Sequence, residues 1–181
     1  MSVTFCSSLF PRFPIAPFPD SAMAAFQFTE TPFPASGPIP AEYTCDGANV
    51  SPALAWTAPP AGTESLVLVV DDPDAPGTEA FTHWVIFNLS PDTTSLPRNC
   101  ASGDLRGADG ARPPEGVNDF GDVGYGGPCP PRGEDHRYVF SLAALDTTLS
   151  LGEGAGPDAV TAAMKGHVIA EAEVVGTYQR S

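Results

Sequence analysis

Lysine is almost absent from this chain of 181 residues: Lys165 is the only one, beside seven arginines and 22 acidic residues, and the formal net charge is −14. Binding to a phosphate backbone requires clustered Lys and Arg, so this deficit argues against a nucleic-acid partner. A basic patch for a membrane surface is missing for the same reason. We interpret the acidic excess as a halophilic adaptation to a salt-rich cytoplasm, because concentrated salt screens self-repulsion.

Long apolar runs are missing too, which argues against membrane insertion, since a spanning helix needs about 18 or more apolar residues. Residues 1–25 lack an early positive region, and prolines interrupt their apolar stretches, so we predict no signal peptide there. We expect residues 1–25 to be a disordered tail, or an untranslated one if Met23 is the true start. Residues 26–181 are predicted to form one domain, and the predicted location is cytoplasmic.

Cysteine is scarce as well. The four cysteines are too few for a disulfide scaffold in a chain of this length, and none has the CxxC spacing of a zinc site. One interpretation is that they are free thiols in a reducing compartment. The alternative is a bond between Cys45 and Cys129, because both lie in turn-rich loops. We expect no metal or other cofactor.

Little of the chain has a helical period, whereas 21 prolines and 18 glycines predict many turns, so we predict an all-β or β-dominated domain. One or two short helices are expected near the C-terminus, the first beginning at Pro157. Residues 90–116 are expected to form an irregular surface excursion closed by a short strand or two. The predicted strands are 26–28, 54–56, 65–70, 83–89, 136–145 and 168–178.

Polar residues gather where three of these strands meet their loops. Asp72 and Asp74 follow the first central strand, and His83 opens the next one. His136 and Tyr138 open the third after a loop rich in Gly and Pro, and their spacing of two points both side chains to one face. If the strands pair side by side, these residues line one pocket. The alternative is that the aspartates only form turns and the histidines are core residues.

The chemistry of this set suits a small anion. A carboxylate beside a histidine holds its tautomer and favours the imidazolium form. Asp72 and Asp74 are therefore expected to orient and polarise the pocket. His83 and His136 would supply charge-assisted donors, and Tyr138 a hydroxyl, which together with backbone N–H groups suit a phosphate group.

The same residues lie in segments that carry a family resemblance. In order along the chain, these segments are 43–52, 71–76 (DDPDAP), 82–88 (THWVIFN), 118–121, 124–133, 136–138 and 166–178. Over about residues 26–180 the chain resembles the phosphatidylethanolamine-binding protein family, specifically its prokaryotic Raf-kinase-inhibitor-like branch.

The resemblance implies antiparallel β-sheets with Greek-key connections and a small anion pocket at one end. It also implies a cis Ala75–Pro76 peptide bond. Members of the family bind phosphate-bearing head groups or phosphorylated partners, and some inhibit kinases or proteases. The positions that line the family's pocket correspond here to Asp72, Asp74, Pro76, His83, Pro131, His136 and Tyr138.

These observations predict a protein that is not an enzyme and that binds a small anionic or phosphorylated ligand. One alternative is an inhibitor of a protein kinase or protease that docks through the 90–116 segment. Another is a hydrolase in which two histidines and an aspartate hold a divalent metal. The sequence leaves open whether the chain is a monomer or a homodimer.

Overall fold

A computed structural model describes residues 25–100 and 105–181 of the chain. Eight strands and one α-helix make up this part, together with a 3₁₀ turn at Ala41–Tyr43. In chain order the elements are β1 (Phe28–Glu30), β2 (Gly37–Pro38), β3 (Leu54–Trp56), β4 (Ser65–Asp72), β5 (Phe81–Leu89), β6 (Ser95–Leu96), β7 (Asp135–Leu145), α1 (Pro157–Met164) and β8 (Val168–Gln179).

The main sheet has the strand order β2-β8-β7-β4-β5, and the smaller one has the order β1-β3-β6. Every pairing between these strands is antiparallel except the short parallel contact of β2 with β8. The prediction of a β-dominated fold is confirmed. A single helix follows β7, and it begins at Pro157 as expected.

Strand β4 is apolar throughout because it has a core on each face. Leu66, Leu68 and Val70 pack into the larger core, which lies between the two sheets, whereas Val67 packs into a smaller core with Val160 of α1. Alternate side chains of a strand point to opposite faces, so burial on both faces requires a continuous apolar run. The sheet thereby fixes β4 rigidly, up to the residue where it ends.

The segment 90–116 includes a short strand, as predicted, but several of its described residues are buried in the core instead of lying in a surface excursion. It contributes β6 to the small sheet, and Leu96, Cys100 and Leu105 are buried in the larger core. Glu115, 5% exposed, accepts a hydrogen bond from the Trp84 indole at 2.9 Å. Single apolar residues spaced among polar ones carry no periodic signal, which is why the sequence did not reveal this packing.

A disulfide joins Cys45 to Cys129, so the interpretation of these two cysteines as free thiols is wrong. The pair is 84 residues apart in sequence, and only the folded chain brings the two loops together. Cys100 is a buried free thiol, and Cys6 lies outside the described residues. The expected cis bond before Pro76 is also wrong, because every peptide bond in the described part of the chain is trans.

The predicted tail, residues 1–25, falls outside the described residues except for Ala25. Among the residues described, no helix has both the length and the apolar character that crossing a membrane requires.

The disulfide generates a first prediction. Replacing both bonded cysteines (C45S/C129S) should lower the free energy of unfolding by about 2–4 kcal/mol, because the unfolded chain regains the freedom of an 84-residue loop. Denaturant unfolding with and without a dithiol reductant measures this. The reductant should destabilise the wild-type protein and leave the C45S/C129S variant unchanged; equal stability of the two oxidised proteins would contradict the prediction.

Candidate functional site

A cavity of about 320 Å³ lies at one end of the strands of the main sheet. Strand β4 ends there at Asp72, opposite Phe81 of β5, and Asp71 pairs with Val139 near the start of β7. This register brings the three predicted strand–loop junctions together at one place. The cavity is lined by Asp72, Ala75, Pro76, Phe81, His83, Phe120, Cys129, Pro130, Pro131, His136 and Arg180.

A buried carboxylate–imidazole pair forms the polar side of the pocket. His136 Nδ1 lies 2.8 Å from Asp72 Oδ2, and each side chain is only 4% exposed. Burial lowers the pKa of His136, but the hydrogen bond and charge of Asp72, helped by Glu134, outweigh burial and leave the pKa raised. His136 is therefore the histidine of the pocket whose charged form the protein favours.

Asp72 is itself held in place by the turn that follows β4. Its Oδ1 accepts the backbone N–H of Asp74 at 2.9 Å, which closes the turn and aims the other oxygen at the imidazole. The carboxylate therefore has one oxygen for the backbone and one for His136. This arrangement fixes the His136 tautomer, since an ionised carboxylate only accepts hydrogen bonds.

His83 has a different environment from the one that the sequence predicted. Its Nδ1 lies 2.7 Å from the Gly126 carbonyl oxygen, which can only accept, so Nδ1 carries the proton of the neutral ring. Burial lowers the pKa of His83 despite that hydrogen bond and the charge of Asp72. The favoured form is a neutral imidazole whose Nε2 accepts a hydrogen bond, not the charged donor expected.

Glycine at position 126 is required by this contact. Its N–H donates to the His83 carbonyl oxygen at 2.8 Å while its own carbonyl accepts from the His83 ring. A Cβ on Gly126 would lie 2.6 Å from Cδ2 of Phe120, which is closer than side-chain atoms approach. The loop thus reaches the histidine from one side and the Phe120 ring from the other only because the residue has no side chain.

Aromatic rings form the apolar side of the pocket. The Phe120 ring packs edge-on against Phe81 at 4.7 Å and against His83 at 5.2 Å between centroids, and 48% of Phe120 is exposed. The Tyr138 ring also packs edge-on against His83, with 5.1 Å between the ring centroids. Such edge-to-face contacts hold the imidazole plane in one orientation.

Two of the predicted site residues do not line the cavity. Tyr138 is fully buried, and its hydroxyl is the one buried side-chain polar atom in the described ranges without a hydrogen bond of normal geometry. Burial, with the nearby Asp72 charge, raises the Tyr138 pKa. Asp74 instead binds the Arg137 guanidinium at 2.7 and 2.9 Å, and these hydrogen bonds lower its pKa to about 2. The other five predicted residues, Asp72, Pro76, His83, Pro131 and His136, line it.

Several lining residues escaped the sequence analysis. Phe81 lies two residues before the predicted strand, and Phe120 belongs to the Gly- and Pro-rich loop, where an aromatic residue among turn formers was the available signal. Arg180 had no such signal, because it reaches the pocket only through the pairing of β8 with β7. Within the described ranges, no group of three or more His, Cys, Asp or Glu side chains is placed to hold a metal ion.

Comparison with known proteins assigns the family. Residues 29–179 match the family model of the phosphatidylethanolamine-binding proteins. The UPF0098 protein of Methanothermobacter thermautotrophicus is 51% identical over 144 residues, covering 80% of this chain and 92% of its own length. The UPF0098 protein of Aquifex aeolicus is 46% identical over 145 residues, covering 78% of this chain and 81% of its own length.

A solved structure agrees. Escherichia coli YbcL, described as a new member of the mammalian PEBP family, superposes with a TM-score of 0.77 at 32% identity, covering 87% of this chain and all of YbcL. The chain belongs to the phosphatidylethanolamine-binding protein family.

The buried pair generates a second prediction. In D72N the Asp72 charge is gone while burial persists, and only Glu134 still favours the charged ring, so the His136 pKa should fall from its raised value. Stability should respond too, because a raised pKa adds stability below about pH 6.5 that is lost as pH rises through the folded value. D72N should lose that low-pH gain.

NMR titration of the histidine ring protons between pH 5 and 9 measures the shift. His167 provides the control, since its Nδ1 lies 2.8 Å from Asp146 in an exposed pair away from the pocket. D146N should leave His136 unchanged. An unaltered His136 pKa in D72N would contradict the assigned cause.

Proposed function

We propose that the protein is a non-enzymatic binding module whose pocket takes a small phosphorylated anion: inorganic phosphate, a phosphoethanolamine-like head group or a phosphorylated side chain. The observation that carries the proposal is the buried Asp72–His136 pair at the wall of the 320 Å³ cavity. Family membership supports it, because the family model is named for a protein that binds a phospholipid.

The charge state of His136 decides whether an anion is attracted. When the imidazole is protonated, it neutralises Asp72, and its second N–H, at Nε2, can donate to a ligand that displaces the exposed Glu134 carboxylate, which lies 3.4 Å from Nε2. When it is neutral, Asp72 stays in the pocket as an uncompensated negative charge and repels the ligand. The raised pKa of His136 keeps the favourable state populated at a higher pH than an ordinary histidine would.

The two histidines then offer opposite hydrogen-bonding chemistry. Protonated His136 donates, whereas neutral His83, whose Nδ1–H is taken by Gly126, offers a lone pair. A ligand that carries both acceptor oxygens and one hydroxyl matches this set. A singly protonated phosphate group has both, and a sulfate group lacks the hydroxyl.

The third prediction concerns pH. Phosphate binding should weaken as pH rises through the raised His136 pKa, and H136Q should bind about tenfold more weakly than wild type at pH 6 but nearly equally at pH 8.5. Calorimetric titration between pH 5.5 and 8.5 measures it, and the difference between the two proteins removes the ligand's own ionisation. H167Q, altered at the exposed pair, should follow the wild type. A constant difference across the range would refute the role of His136.

The fourth prediction concerns ligand choice. At pH 6.5, phosphate should bind at least tenfold more tightly than sulfate, because burying the His83 lone pair without a donor costs binding energy. H83F fills much of the same space without the lone pair and should reduce this preference. Competition of the two anions in NMR titrations measures it. Equal affinities would show that His83 does not select the ligand hydroxyl.

The alternatives are tested by the same protein. An inhibitor would still capture a kinase or protease when H136Q has weakened anion binding, and a hydrolase would bind zinc stoichiometrically and turn over a phosphoester. The cytoplasmic location stays a prediction, against which the disulfide counts, since such bonds are typical of oxidising compartments.

A further inference from the structure

Arg180 is the only lysine or arginine that lines the pocket formed by the described residues. It follows β8 directly, and its backbone pairs with Arg132 and accepts the Gly133 N–H at 3.0 Å. That short loop also carries Pro131, another lining residue. The backbone of Arg180 is thus fixed to the rim, and 25% of its side chain is exposed.

Asp46 orients the guanidinium group. Arg180 Nη2 and Nε lie 3.0 and 3.2 Å from Asp46 Oδ1, and the Tyr178 hydroxyl donates to Asp46 Oδ2 at 2.9 Å. The fork of Arg180 uses one edge for the carboxylate and keeps Nη1 for another partner. Arg180 is a cation with a fixed plane and spare donors at the pocket.

The disulfide ties this pair to the opposite wall. Asp46 follows Cys45, and Cys45 is bonded to Cys129, which lines the pocket beside Pro130. The Cys45 N–H also donates to the Pro128 carbonyl oxygen at 3.1 Å. One dipeptide, Cys45-Asp46, therefore holds both the cysteine wall and the arginine in place.

We propose that Arg180 contacts the ligand and donates hydrogen bonds to its phosphate group. We also propose that the Cys45–Cys129 disulfide positions Arg180 through Asp46. The proposal rests on the proposed anion-binding function and adds its second cation. Because the disulfide positions Arg180, the affinity of the pocket for phosphate should depend on redox conditions. A dithiol reductant breaks the S–S bond, gives its two hydrogens to the cysteines and is itself oxidised to a disulfide.

Reduction should loosen Asp46 without unfolding the loop. Beside the hydrogen bond from the Cys45 N–H to Pro128, two more still tie the same loop to the glycine-rich segment: the Tyr125 hydroxyl donates to the Tyr43 carbonyl at 2.7 Å, and the Gly127 N–H donates to Asn49 at 2.8 Å. Arg180 keeps its charge, but its guanidinium group is no longer held in one orientation. The contribution of Arg180 to the affinity for phosphate should therefore fall.

The test is a double-mutant cycle on inorganic phosphate binding, followed by calorimetry at pH 6.5. In the oxidised protein, R180Q should weaken binding about tenfold and R180K about threefold, since lysine restores the charge but not the fork. R98Q is the matched control, because Arg98 forms an exposed ion pair with Glu42 at 3.0 Å and does not line the pocket. It should bind like the wild type.

The disulfide enters as the second arm of the cycle. In the C45S/C129S background, R180Q should cost less than about threefold, and D46N, which keeps the disulfide, should reduce the R180Q effect in the same way. Additive effects in both backgrounds would overturn the positioning role. An R180Q variant that binds phosphate like the wild type would overturn the whole inference.

Failure of this inference is distinguishable from failure of the proposed function. If wild-type protein binds phosphate with the pH dependence of His136 and R180Q does not alter it, only Arg180 is refuted. If the wild type binds no phosphate at pH 6, the anion-binding proposal itself falls, and this inference falls with it.

Discussion

The hydrogen bond between Asp72 and His136 joins the end of β4 to the start of β7, at the end of the sheet where the pocket opens. Both side chains are almost fully buried, so removing one partner leaves the other buried and unpaired, which typically costs roughly 3–5 kcal/mol. The pair therefore fixes how β4 ends and how β7 begins.

The glycine-rich loop and the disulfide complete the pocket from outside the sheet. Gly126 holds the His83 ring by its carbonyl oxygen, and Cys129 is bonded to Cys45. Neither contact adds apolar burial; each instead limits where an irregular loop can lie. A rigid sheet edge with a tethered loop above it can keep a small cavity open, which a mobile loop would fill with its own side chains.

The sequence revealed the parts of the site that depend on strand pattern. A continuous apolar run identified β4, and β-branched and aromatic residues identified the strand that His136 opens, so the convergence of Asp72, His83 and His136 followed from the pairing of these strands. Details set by single atoms did not follow. The tautomer of His83 depends on one carbonyl oxygen, and Asp74, in the turn after β4, is bound by Arg137 of β7. The disulfide and Arg180 required contacts between distant segments.

A chain with a net charge of −14 can still have a pocket that accepts an anion, because the relevant field is local. Exposed carboxylates farther away than a Debye length of about 8 Å at physiological ionic strength contribute little. At the pocket, protonated His136 balances Asp72 and Arg180 balances Asp46, and the exposed Glu134 carboxylate lies 3.4 Å from His136 Nε2, so an incoming anion would meet two neutral pairs and would have to displace Glu134. Such pairs are less attractive than bare cations, and this favours ligands that match their donors geometrically over ligands that merely carry charge.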